Sequence, residues 1–279
     1  MRQDLGAVMA MVALGGGCAI DGPVESDGVA EAVPRSAPAA AMAAEGETMI
    51  HVGGICSQHF ADPESKGGGA LGHWAGVASV DAWVDQRASM GQAVADLSKT
   101  LDRQCRGDAW CYVYAYSNGG AVVSRTLAQQ DAERWNILWV FTTASNEGGS
   151  ELSGGLGAQA AAGLGLSCDL AARISPSDHR AGWNHNDTAG NQFYGIGGTD
   201  EWWYTGGFPD FFGGDANDGA VAVHSSAGLN DTYAVPDDDP WLCYTPEAHY
   251  DNHGVAYRCD GYDLDHHAMK MQGIWELGG

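Results

Sequence analysis

Trp110-Cys111-Tyr112-Val113-Tyr114-Ala115-Tyr116-Ser117-Asn118-Gly119-Gly120-Ala121-Val122-Val123 is an apolar, β-prone run that breaks at a serine among small residues and resumes with helical spacing. The pattern predicts a strand turning sharply into a helix, with Ser117 on the turn. A hydroxyl held there sits in strained backbone geometry, which neighbours without bulky side chains must permit. Ala115 and Gly119, two positions either side, supply that room. A helix starting near Gly119 would also aim free N–H groups and the positive end of its dipole at a developing oxyanion. The competing reading is a Ser-Asn-Gly-Gly turn that merely ends a strand.

The chain has 279 residues, enough for one large α/β domain with a substantial core and short for two. It carries 36 Asp and Glu against 13 Lys and Arg. A field of this sign repels phosphate backbones and anionic lipid surfaces, so nucleic acid is excluded as an expected partner. Residues 1–18 have the order of an export signal: Arg2, an apolar Leu5 to Leu14, then Gly15-Gly16-Gly17-Cys18. Cys18 after small residues resembles the lipobox of bacterial lipoproteins, which implies membrane anchoring through a lipid on that cysteine. Plain secretion is the alternative, because Leu14 lies one position further from Cys18 than the usual pattern.

Setting Cys18 aside leaves Cys56, Cys105, Cys111, Cys168, Cys243 and Cys259, an even set without a Cys-x-x-Cys pair. That suits disulfides in an exported protein better than zinc. Cys105 with Cys111 and Cys243 with Cys259 are the expected local closures, and Cys56 with Cys168 is what remains. Residues 19–47 are rich in Ala, Pro, Gly, Glu and Ser without an aromatic side chain, and read as a disordered tether. The folded domain is expected over residues 48–279.

It should open with the strand Thr48 to Val52 and the turn Gly53-Gly54-Ile55-Cys56. His51 within that strand reads as structural. Apolar positions at Val80, Trp83, Val84, Met90, Val94, Leu97 and Leu101 predict an amphipathic helix over 80–101. The elbow strand, a helix over Ala121 to Gln130 and a buried strand over Asn136 to Thr143 follow. Such alternation predicts a parallel sheet covered on both faces. Gln192 to Gly198 and Val255 to Cys259 read as the remaining core strands.

After the third strand comes Phe141-Thr142-Thr143-Ala144-Ser145-Asn146-Glu147-Gly148-Gly149-Ser150-Glu151. It resembles bacterial triacylglycerol lipases and related polyester (polyhydroxyalkanoate-type) depolymerases, in which a Val-Thr-Thr strand enters a Pro-His-x-Gly-Ser-Glu turn. Asn146 and Glu147 replace the Pro and His here. The resemblance implies the α/β-hydrolase fold and favours the nucleophile reading of Ser117. It makes Ile55 and Asn118 the backbone oxyanion donors and puts a cap over about 152–191. Within that interval His179, His185 and Asp187 match no metal-ligand spacing and read as solvated loop residues.

Asn217-Asp218-Gly219-Ala220-Val221...Ser226-Ala227 is similar to the lipase segment that carries the catalytic acid, which implies Asp218. Asp200, nearer the end of a strand, is its rival; Asp210 and Asp215 rank below. In Asp265-His266-His267-Ala268-Met269 the resemblance implies His266 as the base, with His267 as alternate and His249 and His253 behind them. Ala268 stands where related lipases carry a calcium-binding aspartate, so no metal and no cofactor is expected. Trp202, Trp203, Tyr204, Phe208 and Phe211 crowd a Gly-rich loop suited to an apolar acyl or polymer cleft. The expected activity is a secreted or lipid-anchored serine hydrolase acting on apolar carboxylic esters. A polyester depolymerase is the alternative substrate reading, and a catalytically silent scaffold that binds a partner is the alternative of another class.

Overall fold

The computed structural model describes residues 46–61, 70–129, 134–153, 168–201, 211–212, 215–229, 249–255 and 261–279. The expected export signal with Cys18, the tether up to residue 45, Trp202, Trp203, Tyr204, Phe208 and Asp210, and Cys243 and Cys259 lie outside them. Among the described residues no helix is long and apolar enough to cross a membrane.

Six strands, β1 Glu47–Val52, β2 Val77–Asp81, β3 Trp110–Tyr116, β4 Ile137–Thr143, β5 Phe193–Ile196 and β6 His253–Val255, form one sheet in the order β2-β1-β3-β4-β5-β6. Every pair is parallel. Among the described residues the helices are α1 Met90–Gln104, α2 Asn118–Leu127, α3 Pro176–Arg180, α4 Val223–Ser226 and α5 His266–Glu276, with a 3-10 turn at Asp169–Arg173.

Strand β3 explains its own composition. Val113 and Ala115 face a core shared with Leu97 and Leu101 of α1 and Val122 and Leu127 of α2. Tyr112, Tyr114 and Tyr116 face the opposite core with Phe141 and with Met269 and Ile274 of α5. Both faces are buried, so the strand reads as a continuous apolar run rather than an alternating one. Each fully buried leucine here stabilises the fold by roughly 1.5–3 kcal/mol.

From β1 the chain moves outward to β2 and then returns to β3 on the other side of β1. The topology therefore switches direction between β1 and β3, and the crevice at the carboxyl ends of these strands is where such folds place a site. Ile55 and Ser117 sit just beyond those two strand ends.

Two elements differ from expectation. The stretch expected as a helix from Val80 contains the end of an edge strand and a loop. Val77–Asp81 pairs with β1 in the register Glu47↔Val77 to His51↔Asp81. The helix begins at Met90, where the Ser89 hydroxyl accepts from the Gln92 N–H at 3.2 Å. Backbone pairing to β1 overrides a helical period that Trp83 and Val84 only mimic; Val84 is buried in the core from the loop. The last strand also lies earlier than Val255 to Cys259, at His253–Val255 beside β5; residues 256–260 lie outside the described set.

Among the described residues there are two disulfides, Cys105–Cys111 as a local closure and Cys56–Cys168 across 112 residues. The long one ties the turn after β1 to the start of the 3-10 turn. In the chain-entropy account, closing a loop of about 100 residues stabilises by about 4.7 kcal/mol, whereas a short loop contributes less. Cys56→Ser/Cys168→Ser should therefore lower the unfolding free energy by about 2–5 kcal/mol, and Cys105→Ser/Cys111→Ser by less, both read from urea denaturation at equilibrium.

Candidate active site

Ser117 stands between β3 and α2 with φ 55° and ψ −131°, the left-handed side of the backbone map that non-glycine residues rarely adopt. Its neighbours over-determine the geometry. The Ser117 N–H donates to Thr143 O at 3.0 Å, and its carbonyl accepts from Gly120 N–H at 3.0 Å. At Gly119 a Cβ would stand 2.6 Å from Gly53 O and 2.8 Å from Val52 O. Only glycine lets α2 start this close to the end of β1.

The serine hydroxyl meets a histidine and, through it, a carboxylate. His266 Nε2 lies 3.0 Å from Ser117 Oγ, and His266 Nδ1 lies 2.8 Å from Asp218 Oδ2. His266 opens α5, behind the N-cap Asp265, which accepts from Ala268 N–H. Asp218 is fully buried, and its other oxygen accepts from the N–H groups of Ala220 at 3.0 Å and Val221 at 2.8 Å. Its backbone carbonyl takes the His266 N–H at 2.9 Å, so the acid loop and the start of α5 are pinned together. From the other side, the Tyr116 hydroxyl donates to His266 O at 3.1 Å. Burial, aided by the Asp218 charge, pushes this phenol well above its ordinary range, so it stays a donor.

Of the rival residues, Asp200 is exposed and its N–H donates to Leu264 O at 3.3 Å. Asp215 faces His224 at 3.5 Å. His267 stacks edge-on against His266, with ring centroids 6.2 Å apart. His51, expected to be structural, is buried; its Nε2 accepts from Gly72 N–H, and burial pushes its pKa down to about 4.

A pocket over Ser117 and His266 is lined by Ile55, Leu152, Ile174 and Val221. Neither the Ile55 nor the Asn118 N–H is used by a backbone carbonyl among the described residues. Phe211, the one member of the expected aromatic cleft within the described set, packs on a cluster of Leu152, Phe212, Ala220, Val221 and Ala222 that adjoins this pocket.

The expectation that His179 and His185 are solvated is overturned, since both are buried. His179 Nδ1 donates to Asn146 O at 2.8 Å, and burial pushes its pKa down to about 4, keeping it neutral. His185 Nδ1 lies 3.4 Å from Glu147 Oε1, and His253 Nε2, now within β6, lies 3.0 Å from the same oxygen. These contacts anchor the loop after β4, whose Asn146, Ser150 and Leu152 line the pocket. Polar residues in a loop-like stretch carried no sign of burial; the one available signal was Glu147 itself, an acid inside a Gly-rich turn.

An α/β-hydrolase fold is defined by this parallel sheet and by the chain order Ser117, Asp218, His266 on its strand ends. By sequence the chain matches no family model and no curated protein. Among solved structures it is similar in fold to the mature form of a Bacillus licheniformis lipase, with a TM-score of 0.50 at 15% identity over 85% of this chain and 89% of that one. A metagenomic carboxyl esterase matches with a TM-score of 0.53 at 12% identity over 85% of this chain and 76% of that one. Staphylococcus hyicus lipase matches with a TM-score of 0.50 at 13% identity over 83% of this chain and 92% of that one.

Burial by itself would raise the Glu147 pKa, but His253 and His185 outweigh it and hold the carboxyl below its ordinary value of 4.5. Burial likewise disfavours the charged His253, and Glu147 reverses this, raising His253 above 6.5. The His253 contribution to stability is thus fully present below about 6.5 and lost as pH rises through its raised folded value. The Glu147 contribution is present above about 4.5 and lost only as pH falls through its lowered one. Glu147→Gln should destabilise the fold by about 3–5 kcal/mol at pH 6 and flatten the fall in stability between pH 6 and 9, as measured by urea denaturation across that range.

Proposed function

We propose that the protein is a serine hydrolase that cleaves carboxylic esters with apolar acyl groups through an acyl-enzyme. The observation that carries this reading is the continuous Ser117–His266–Asp218 chain at 3.0 and 2.8 Å. His266 Nδ1–H donates to Asp218, which leaves Nε2 as the acceptor facing the serine hydroxyl. On attack, Ser117 Oγ bonds to the ester carbonyl carbon while its proton passes to Nε2; Asp218 holds the imidazole tautomer and stabilises its cation. The carbonyl electron pair moves onto oxygen, where the Ile55 and Asn118 N–H groups receive it; each such donor is worth about 2.7–4 kcal/mol in comparable sites. Collapse expels the alcohol, protonated by His266, and water activated by the same imidazole releases the acid.

The apolar lining of Ile55, Leu152, Ile174 and Val221 supports an apolar acyl chain. The similarity in fold to two lipases and a carboxyl esterase supports ester hydrolysis. The two disulfides support export.

Wild-type protein should be labelled by a fluorophosphonate and should turn over p-nitrophenyl esters, and Ser117→Ala should lose both. Asp218→Asn should lower kcat by about 10⁴-fold by leaving the imidazole in the wrong tautomer, while Asp200→Asn changes it less than about twofold. An unlabelled, inactive wild type, or an active Ser117→Ala variant, overturns the reading. Release of hydroxyacids from a polyester film would mark a depolymerase, and a preference for long-chain acyl esters a lipase.

A further inference from the structure

The loop between β2 and α1 carries a glutamine that none of the site residues above includes. Gln86 is fully buried, and all four of its polar groups are used on the two segments that flank Ser117. Its side-chain Nε2 donates to Gly53 O, and its Oε1 accepts from Asn118 Nδ2 at 2.8 Å. Its backbone N–H donates to Ser57 O at 3.0 Å, and its carbonyl accepts from Cys56 N–H at 3.2 Å. One side chain therefore spans the gap between the turn after β1 and the first residue of α2.

That gap has a direction as well as a width. The Ile55 N–H shares a planar peptide with the Gly54 carbonyl, so fixing one fixes the other. The Ser57 hydroxyl donates to Gly54 O at 2.7 Å, and Ser57 is itself held by the Gln86 N–H. On the opposite side, Asn118 contributes its backbone N–H at the start of α2 while its side chain is bound to Gln86.

We propose that Gln86 is the positioning residue of the oxyanion site, setting the separation and aim of the Ile55 and Asn118 N–H groups by bridging Gly53 O and Asn118 Nδ2. This rests on the ester-hydrolase reading of Ser117. Donors must lie about 2.7–3.1 Å from the oxygen of the tetrahedral adduct rather than from the ground-state carbonyl. Loss of the bridge therefore weakens the transition state more than substrate binding, and a misplacement near 1 Å can reduce the rate by about 10²-fold.

Gln86→Met keeps the length of the side chain and removes both of its hydrogen bonds. It should lower kcat by about 10²-fold with KM within about threefold, and weaken inhibition by an aryl trifluoromethyl ketone by the same factor. That ketone accepts Ser117 Oγ at its carbonyl carbon, the serine proton passes to His266, and the oxyanion occupies the proposed donors.

Gln86→Glu supplies a readout that lost packing would not move. As a carboxylate it faces Gly53 O without a proton to donate; once protonated it regains the donor and still accepts from Asn118. Burial raises such a carboxyl into the accessible range, so the ratio of variant to wild-type kcat should climb at least tenfold as pH falls from 8 to 5. Should Gln86→Met fail to fold, that ratio carries the test. Wild-type kcat and ketone affinity in Gln86→Met, or a ratio for Gln86→Glu that is flat with pH, overturns the positioning role. If instead wild type is inactive or Ser117→Ala is active, the ester-hydrolase reading itself is what fails.

Discussion

The structure depends on holding one serine in a backbone conformation that it would not choose. Ser117, at φ 55°, is kept there by the ends of three neighbouring strands. β1 crowds Gly119, β3 delivers the serine, and β4 accepts its N–H through Thr143 O. Strain of this kind amounts to about 1–3 kcal/mol and persists only where the surroundings enforce it. The parallel sheet enforces it because the strand ends beside the serine are buried on both faces and cannot slip in register without exposing a core.

Around that turn, buried charge is matched group by group. Asp218 has two backbone N–H groups and His266; Glu147 has His185 and His253. A carboxylate left unpaired at such depth would be expensive, so each is both an anchor and a constraint. The two serve different loops. Asp218 locks the loop after β5 to the start of α5, and Glu147 locks the loop after β4 to the 179–185 region and to β6. The pocket over Ser117 lies between them, and its lining from Leu152 and Val221 belongs to these two anchored loops.

Much of the site was legible in the chain because its chemistry is local. Small residues at Ala115 and Gly119 marked the turn at Ser117, and the resemblance of Asn-Asp-Gly and Asp-His-His to bacterial lipase segments pointed to the loops of Asp218 and His266. Asp200 competed well as a motif and lost on burial: it is exposed, whereas Asp218 is enclosed and faces the imidazole. The 80–101 helix failed because its apolar spacing joined an edge strand, a buried loop and a true helix into one period. The burial of His179 and His185 is not legible in the chain, because a polar loop sequence says nothing about which elements will cover it.

By itself the sequence determined the alternation of strand and helix and the tight turn at Ser117, because each rests on steric or hydrogen-bonding preferences of adjacent residues; Asp218 and His266 were indicated only by resemblance to bacterial lipases. Tertiary structure made Cys56 meet Cys168, which the sequence left only as the residual pairing, and it alone decided that Glu147 is shared by two histidines and that Gln86 bridges the segments on either side of Ser117. These pairings join residues between 32 and 112 positions apart. No local preference encodes them; they follow from the sheet order, which brings the ends of β1, β3, β4 and β6 around one crevice.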